Sequence, residues 1–319
     1  MRSVSYLQRY ALIAKSKNLS VSLSSHKYPP IEYRWFYSHS QRLSHSINTI
    51  LNSLTLSSRD IRSSLYHFHL KTSINLFSHR SHAISSTRLF KYFLKQWLNH
   101  VPYQYIFGTC EFYRRLFQVN RHVLIPRPDT ECLINRVQEL YPKHEDRSLR
   151  VLDIGTGSGC IPIILQLFYP QWSISACDIS SKAIKIARLN SRLNCTPRQI
   201  QFRQADLFQD NFYPLKQFDL VVSNPPYITP SELSVCDKSL HYEPRQALFV
   251  KDKQDPFGFY REIMNKCSNY LLKPDGYLIM ECSQFNVKGI YELFKLFQFK
   301  NVQVDYDWQY LPRVIYGQK

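Results

Sequence analysis

The chain has no apolar run near the length of about 18 residues that a membrane-spanning helix needs. Its best stretch, IPIILQLF from Ile161, is far shorter. It has no CxxC pair. Its eight cysteines are scattered, at 110, 132, 160, 177, 195, 236, 267 and 282, which speaks against a zinc ribbon or a thioredoxin-type site. Several lie inside apolar stretches, where a free Cys behaves as a small hydrophobe, and a reducing compartment is the simpler reading. There is no internal repeat, and no low-complexity tract beyond a Ser-rich start. Acid is scarce in the first third. Residues 1–110 hold fourteen Lys/Arg against Glu32 and Asp60, a balance of +12, so that only +5 of the net +17 belongs to 111–319. A basic excess suits acidic partners, RNA among them. Residues 1–31, however, carry Arg2, Arg9, Lys15, Lys17 and Lys27, many serines and no acid. That is the composition of an organellar presequence. Without a compact apolar core and a small-residue cleavage site, a secretory signal fits less well. A mitochondrial presequence over 1–30 is expected, and a basic nucleic-acid-binding tail is the competing reading.

What is present suits a globular protein. The 319 residues are 44% hydrophobic and 14% aromatic, enough for one large or two medium domains. Residues 40–101 read as a small helical domain. Its clearest segment is Ser86 to Asn99, where Leu89, Phe90, Phe93, Leu94, Trp97 and Leu98 recur at helical spacing and Pro102 forbids continuation. Weaker helices are expected over 44–56 and 59–70. The histidines at 67, 69, 79 and 82 lack acidic or Cys company, so no metal is expected. Residues 102–125 turn aromatic and β-branched around Gly108 and Arg114-Arg115, which predicts a hairpin linking two domains.

From 126 to 319 a second domain is expected. RVLDI (150–154), SISACDI (173–179), QIQFRQ (199–204), FDLVVS (218–223) and YLIMEC (277–282) read as strands, with helical stretches such as Ser180 to Asn194 between the first of them. That alternation predicts a parallel α/β sheet covered by helices on both faces. VQVDYDW and RVIYG near the end predict an antiparallel hairpin at one sheet edge.

LDIGTGSGC (Leu152 to Cys160) follows the first of these strands and opens a helix. Gly155, Gly157 and Gly159 let the backbone turn sharply and let a ligand come close. Cys160 stands where a GxGxxG dinucleotide fingerprint has Gly, and no Lys-Ser/Thr pair makes a P-loop. Asp178 ends the second strand, where an acid accepts from ribose hydroxyls. Asp153, under the loop, is placed to accept from a cofactor amino group or to hold the loop in shape. QADLF (204–208) offers Asp206 to an adenine amino group with Leu207 and Phe208 beside the ring. These features imply a nucleoside cofactor without a pyrophosphate, and S-adenosylmethionine (SAM) fits.

SNPPYITP (223–230) then acquires a chemical meaning. Asn224 leaves a buried strand at the carboxyl edge of the sheet, where ligands bind in open α/β folds. An amide or aromatic amine is a poor nucleophile, but its NH₂ has two hydrogens to donate. The Asn224 side-chain oxygen and the Pro225 carbonyl can each accept one. Pro225 and Pro226 lock that carbonyl, and Tyr227 offers a flat wall. Catalysis would come mainly from orientation. The plain alternative for the tetrapeptide is a tight turn.

On these residues the chain resembles the HemK/PrmC-type release-factor glutamine N5-methyltransferases. PYQYIFG…F (102–112), LIPRPDTE (124–131), VLDIGTGSGC, CDIS (177–180), DLF, VSNPPYI and YEPRQAL (242–248) carry the resemblance, over roughly residues 90 to 316. NPPY alone is shared with enzymes that methylate exocyclic amines of nucleic-acid bases; LIPRPDTE upstream of the Gly loop is more specific. The resemblance implies a Rossmann-like class I SAM-dependent methyltransferase with a seven-stranded sheet. SAM would be held by Asp153, Gly155, Thr156, Gly157, Ser158, Gly159, Asp178, Ile179, Asp206, Leu207 and Asn224. The substrate glutamine would sit on Asn224, Pro225, Pro226 and Tyr227, with Phe112 packing on it. The implied partner is a peptide-chain release factor with a Gly-Gly-Gln motif, in the mitochondrial matrix given the presequence, with a monomeric enzyme, no direct nucleic acid and no membrane span. The family's usual Glu-Ile-Gly after its fifth strand reads Glu281-Cys282-Ser283 here. Two other readings stay open: a nucleic-acid amine methyltransferase, and a non-catalytic assembly factor that keeps the fold.

Overall fold

Pro102 cannot continue a helix but is well suited to begin one, and a short helix α1 (Tyr103–Phe107) starts directly after it. Gly108, at φ 71°, closes that helix in the left-handed conformation. The computed structural model describes residues 98–319, apart from 143–146, 195, 197–198, 215–216, 230–237 and 253, together with 92, 95 and 96. They belong to one unit, Leu89–Lys319. The expected presequence and the helices expected over 44–56 and 59–70 lie outside the described residues. Of the helix expected over Ser86 to Asn99, residues 92, 95, 96, 98 and 99 are described; the first four are helical and Asn99 is already in a turn.

The hairpin expected over 103–125 is shorter than the composition suggested. It comprises β1 (Thr109–Phe112) and β2 (Arg115–Gln118), paired antiparallel with Phe112 opposite Arg115. The two-residue turn is Tyr113–Arg114, with φ of 49° and 59°. Two positive φ values make the kind of tight turn that matches strand twist, but Asn-Gly usually marks it, and Tyr-Arg does not announce such a turn. The Tyr113 amide donates to Glu131 Oε1 at 2.9 Å and its hydroxyl to Asn135 Oδ1 at 2.9 Å. Those contacts hold the turn.

The remaining elements follow in order: α2 (Glu131–Leu140), β3 (Arg150–Ile154), α3 (Cys160–Phe168), β4 (Ser173–Asp178), α4 (Ser181–Leu193), β5 (Gln201–Gln204), β6 (Phe218–Ser223), the single turn α5 (Arg245–Leu248), α6 (Gly258–Lys266), β7 (Leu272–Glu281), α7 (Val287–Leu296), β8 (Lys300–Tyr306) and β9 (Pro312–Gln318). Seven strands form one sheet in the order β5-β4-β3-β6-β7-β9-β8. β5 through β7 are parallel, and β9 and β8 run antiparallel at the edge. This is the expected Rossmann-like α/β architecture. Among the described residues no helix is long and apolar enough to cross a membrane.

Central strands buried on both faces read as near-continuous apolar runs. Their side chains alternate between two cores. Val151, Leu220, Val222 and Ile279 pack with Leu133, Ile134, Ile163 and Ile184 from α2, α3 and α4. Leu152, Val221, Leu278 and Met280 pack on the other face with Ile263, Met264, Ile290 and Phe294 from α6 and α7. Each such side chain contributes about 1.5–3 kcal/mol when fully buried. β7 begins five residues before the expected start, at Leu272. Phe218 pairs with Leu272 but Leu220 with Tyr277, so Lys273 to Gly276 bulge out of the ladder. Pro274 and Gly276 sit in that bulge and read in the sequence as a turn.

Candidate active site

The strand register places the site. The chain winds outward from β3 through β4 to β5 and then returns to β6 on the other side of β3. Between β3 and β6 the order reverses, and a crevice opens at the carboxyl ends there. Ile154 pairs with Cys177 on one side and with Ser223 on the other. Asp178 pairs with Gln204, and Ser223 with Met280. One level further, Gln204, Asp178, Gly155, Asn224 and Glu281 therefore form one row, with Gln204, Asp178 and Glu281 the last residues of their strands and Gly155 and Asn224 the first beyond theirs. The Ser223 hydroxyl donates to the Ile154 carbonyl at 2.7 Å and ties the two central strands where they end.

A cavity of about 460 Å³ lies over this row, and Gly155, Gly157, Asp178, Asp206, Asn224 and Pro225 all line it. Gly155 and Gly157 have φ of 77° and 55°, and a Cβ added to either would meet nothing within 4 Å. Their bare backbone is a cradle that opens towards a ligand. Gly159, at φ 82°, plays another part. A Cβ there would lie 3.0 Å from the Ala187 Cβ, so this glycine lets α4 approach the loop closely.

Asp178 stands at the end of β4. Its Oδ2 accepts from the Gly157 amide at 2.9 Å and its Oδ1 from the Ser180 amide at 2.8 Å. Burial raises its carboxyl above the usual range, and the two amides oppose that shift. One lone pair on each oxygen is left for a diol. Asp206 Oδ1 accepts from the Phe208 amide at 3.0 Å, which shapes the turn that carries Leu207 and Phe208 into the cavity wall. Ile179, half exposed, lines the same wall. Asp153 lies behind the glycine loop, fully buried and off the cavity wall. Neither its carboxylate oxygens nor the Thr156 hydroxyl has a hydrogen-bond partner. Burial pushes the Asp153 carboxyl up to about 7, the nearby Thr156 hydroxyl acting against the shift. Ser158 is buried and contributes its carbonyl to the scaffold.

These residues fit SAM. The cradle accepts close backbone approach, Asp178 suits a ribose diol, and Leu207 and Phe208 give an apolar face for a purine. Asp153 and Thr156 lie buried behind the glycine loop and do not face the cavity.

Asn224 and the prolines stand where the sequence led one to expect. Pro225 is buried and Asn224 and Pro226 half-buried, and all three line the cavity. Tyr227 does not line it. It packs against the core that holds Tyr260, and burial, with Glu281 nearby, pushes its phenol up. Nor is Phe112 brought to the cavity. It is 2% exposed in the core beneath the hairpin, edge-on to Phe117 at 6.1 Å.

Four residues left out of the expected site hold it together. Asn224 Nδ2 donates to Thr130 Oγ1 at 3.2 Å, and that hydroxyl donates to Glu281 Oε2 at 2.6 Å. Glu281 is buried, and burial raises its carboxyl to about 7 against the Thr130 hydrogen bond. Glu243, also buried, accepts from the Ile125 amide at 3.0 Å and pairs with the Arg127 guanidinium. It thereby fastens Val123 and Leu124 on one lip of the cavity to Pro244 and Arg245 on the other. Thr130 and Arg127 lie in LIPRPDTE and Glu243 in YEPRQAL, so both motifs flagged the neighbourhood. A buried carboxylate's partners depend on the fold and are not written in either motif.

Residues 129–241 match the family model described as the methyltransferase small domain. Among curated relatives, the release factor glutamine methyltransferase of Bacteroides thetaiotaomicron is 40% identical over 204 residues, covering 64% of this chain and 70% of that protein. The protein of the same name from Thermodesulfovibrio yellowstonii is 32% identical over 275 residues, 86% of this chain and 96% of that one. The bifunctional methyltransferase of Rickettsia typhi is 37% identical over 243 residues, but this chain spans only 46% of that longer protein.

Proposed function

The chain belongs to the release factor glutamine methyltransferase family, and from that premise we propose that it methylates N5 of the glutamine in the Gly-Gly-Gln motif of a mitochondrial peptide-chain release factor, with SAM as donor. One observation carries the reading. Asn224 and Pro225, the first two residues beyond β6, line the same cavity as Gly155 and Gly157 of the loop that follows β3 and Asp178, the last residue of β4. An acceptor for a planar NH₂ thus adjoins the place that fits a nucleoside donor. The mitochondrial part rests on the basic, acid-free composition of residues 1–31.

SAM supplies a methyl group activated on a sulfonium when it is bound there. The protein's part is binding and orientation. Asn224 Oδ1 and the Pro225 carbonyl accept the two hydrogens of the substrate amide. That pair of bonds fixes the amide plane and turns the nitrogen lone pair towards the cofactor side of the cavity. Pro225 and Pro226 keep the accepting carbonyl from rotating. Held this way, reacting groups reach effective molarities of about 10⁵ M or more, so no strong base has to act before attack, and the surplus proton on the methylated nitrogen leaves to water afterwards.

Mass spectrometry of a mitochondrial release factor, incubated with SAM and the enzyme, tests this. Wild type and Asn224→Ala run side by side, with a mixture of DNA and RNA oligonucleotides as a second substrate. One methyl on the Gly-Gly-Gln glutamine, formed far more slowly but still measurably with Asn224→Ala, is the expected result. Label on the oligonucleotides alone would transfer the site to nucleic-acid amines. No SAM binding at all would make the chain a non-catalytic member of its fold.

A further inference from the structure

We infer that Thr130 and Glu281 are positioning residues that decide which end of the Asn224 side chain faces the substrate. The inference rests on the reading of Asn224 as the acceptor for the substrate amide.

An asparagine side chain has a donor end and an acceptor end of almost the same shape. Only the acceptor end serves here. With Nδ2 facing the substrate, two N–H groups would oppose each other and the amide would be repelled. Nothing in Asn224 itself prevents that half-turn about its last torsion, because such torsions are broad and two-fold. What its far end touches must settle the matter.

That contact is Thr130 Oγ1, at 3.2 Å from Nδ2. A hydroxyl could in principle donate or accept there. It has a single proton, however, and Thr130 gives it to Glu281 Oε2 at 2.6 Å. Oε2 accepts whether or not the other oxygen of Glu281 is protonated. The hydroxyl is then left with lone pairs only towards Asn224, so Asn224 must present its NH₂ to Thr130 and its Oδ1 to the cavity. Thr130 and Glu281 are each 2% exposed, so water does not compete for either bond. The three residues come from distant parts of the chain, 94 residues apart for Asn224 and Thr130 and 151 for Thr130 and Glu281. The register of β6 with β7, Ser223 beside Met280, is what sets Asn224 beside Glu281.

A double-mutant comparison tests the relay. Thr130→Val keeps the shape and removes the hydroxyl. In the full-length enzyme, with a release factor as substrate, it should lower kcat by about 10–100-fold. Affinity for SAM should stay near wild type, while Tm falls by a few degrees because the buried Glu281 carboxyl and the Asn224 amide lose a partner. Thr130→Ser, which restores the hydroxyl, should recover most of the loss. In an Asn224→Ala background Thr130→Val should cost almost nothing further, since there is no amide left to orient. Equal losses in both backgrounds, or full activity in Thr130→Val, would overturn the inference while leaving Asn224 in its role. If Asn224→Ala itself were fully active, the reading of Asn224 would fail and the relay with it. Should Thr130→Val fold poorly, Glu281→Gln against Glu281→Met makes the same comparison. Gln keeps an oxygen that accepts from Thr130 and should be the more active of the two; equal activity would overturn the relay.

Discussion

Asn190 of α4 grips the backbone of Gln118 at both ends. Its Oδ1 accepts from the Gln118 amide at 2.6 Å, and its Nδ2 donates to the Gln118 carbonyl at 3.0 Å. The same Nδ2 donates to the Ser158 carbonyl at 2.8 Å. One fully buried side chain therefore joins the last residue of the hairpin to the glycine loop that cradles the ligand. The hairpin is thereby tied to the glycine loop on the cavity wall.

Asn190→Ala takes a partner from the buried Ser158 carbonyl, worth about 1–3 kcal/mol, and from the two partly exposed backbone groups of Gln118. Some of them will find water, so the expected loss is about 2–4 kcal/mol. Tm should fall by roughly 5–10 °C in a calorimetric scan. SAM affinity should weaken as well, although Asn190 is not part of the cavity wall. An unchanged SAM titration would show that the loop keeps its shape without the hairpin.

Asp178→Ala removes the carboxylate that meets the glycine loop and the start of α4 and faces the cavity. A hydrogen bond to a charged group is worth about 1.5–3 kcal/mol. SAM binding by calorimetry should weaken about 10-fold or more, with kcat at saturating SAM much less affected. A Kd equal to that of wild type would take Asp178 out of the cofactor site.

The two glycines Gly157 and Gly159 should fail in different ways when replaced by alanine. Both positions are left-handed, which costs about 1 kcal/mol for Ala. At Gly157 the new methyl enters open space in the cavity, so Tm should drop little while SAM affinity falls. At Gly159 it meets Ala187 at 3.0 Å, and crowding adds about 1–3 kcal/mol. Thermal melts and SAM titrations of the two variants should rank them in opposite orders.

Asp153 sets a pH dependence of stability. Its carboxyl is raised to about 7 by burial, so the folded state holds this proton more tightly than the unfolded chain. The favourable contribution is complete below the unfolded value near 4 and is lost as pH rises through 7. Above 7 a buried charge stands unpartnered. Asp153→Asn should therefore stabilise the ligand-free protein at pH 8 by about 1–2 kcal/mol, seen as a higher Tm, once the cost of burying the amide is allowed for. The gain should shrink at pH 5.5. Melts that give the same difference at both values would mean that Asp153 does not titrate in this range.

Much of this architecture is written in local patterns. FDLVVS and RVLDI form strands with the expected bounds because two-sided burial demands unbroken apolar runs. The helix from Ser181 to Leu193 forms where expected because Ser180 caps it, accepting from the Ala183 amide. Local pattern failed where the tertiary setting overrode it. Tyr103 to Phe107 is aromatic enough for a strand, yet lies between a proline that starts a helix and a glycine that ends one. Pro274 and Gly276 suggest a turn, yet sit in a bulge. In the site, the glycine loop, Asp178, Asn224 and the two prolines were legible because their chemistry depends on residue type next to a strand end. Thr130, Asn190, Glu243 and Glu281 were not, because each has a partner 72 or more residues away in the chain. Phe112 and Tyr227 read as aromatic walls, and the structure puts both off the cavity.

Because every functional group emerges from one level of the ladder, the site tolerates length changes very unevenly. Residues added to a connection between strands alter only a loop. One residue added or removed within β3, β4, β6 or β7 would shift a contact by about 3.3 Å and send the side chain to the opposite face of the sheet. Asn224 would then point into a core in place of the cavity. The chemistry is thus counted in whole residues, and the hydrogen-bonded ladder between Ile154 and Ser223 is the ruler.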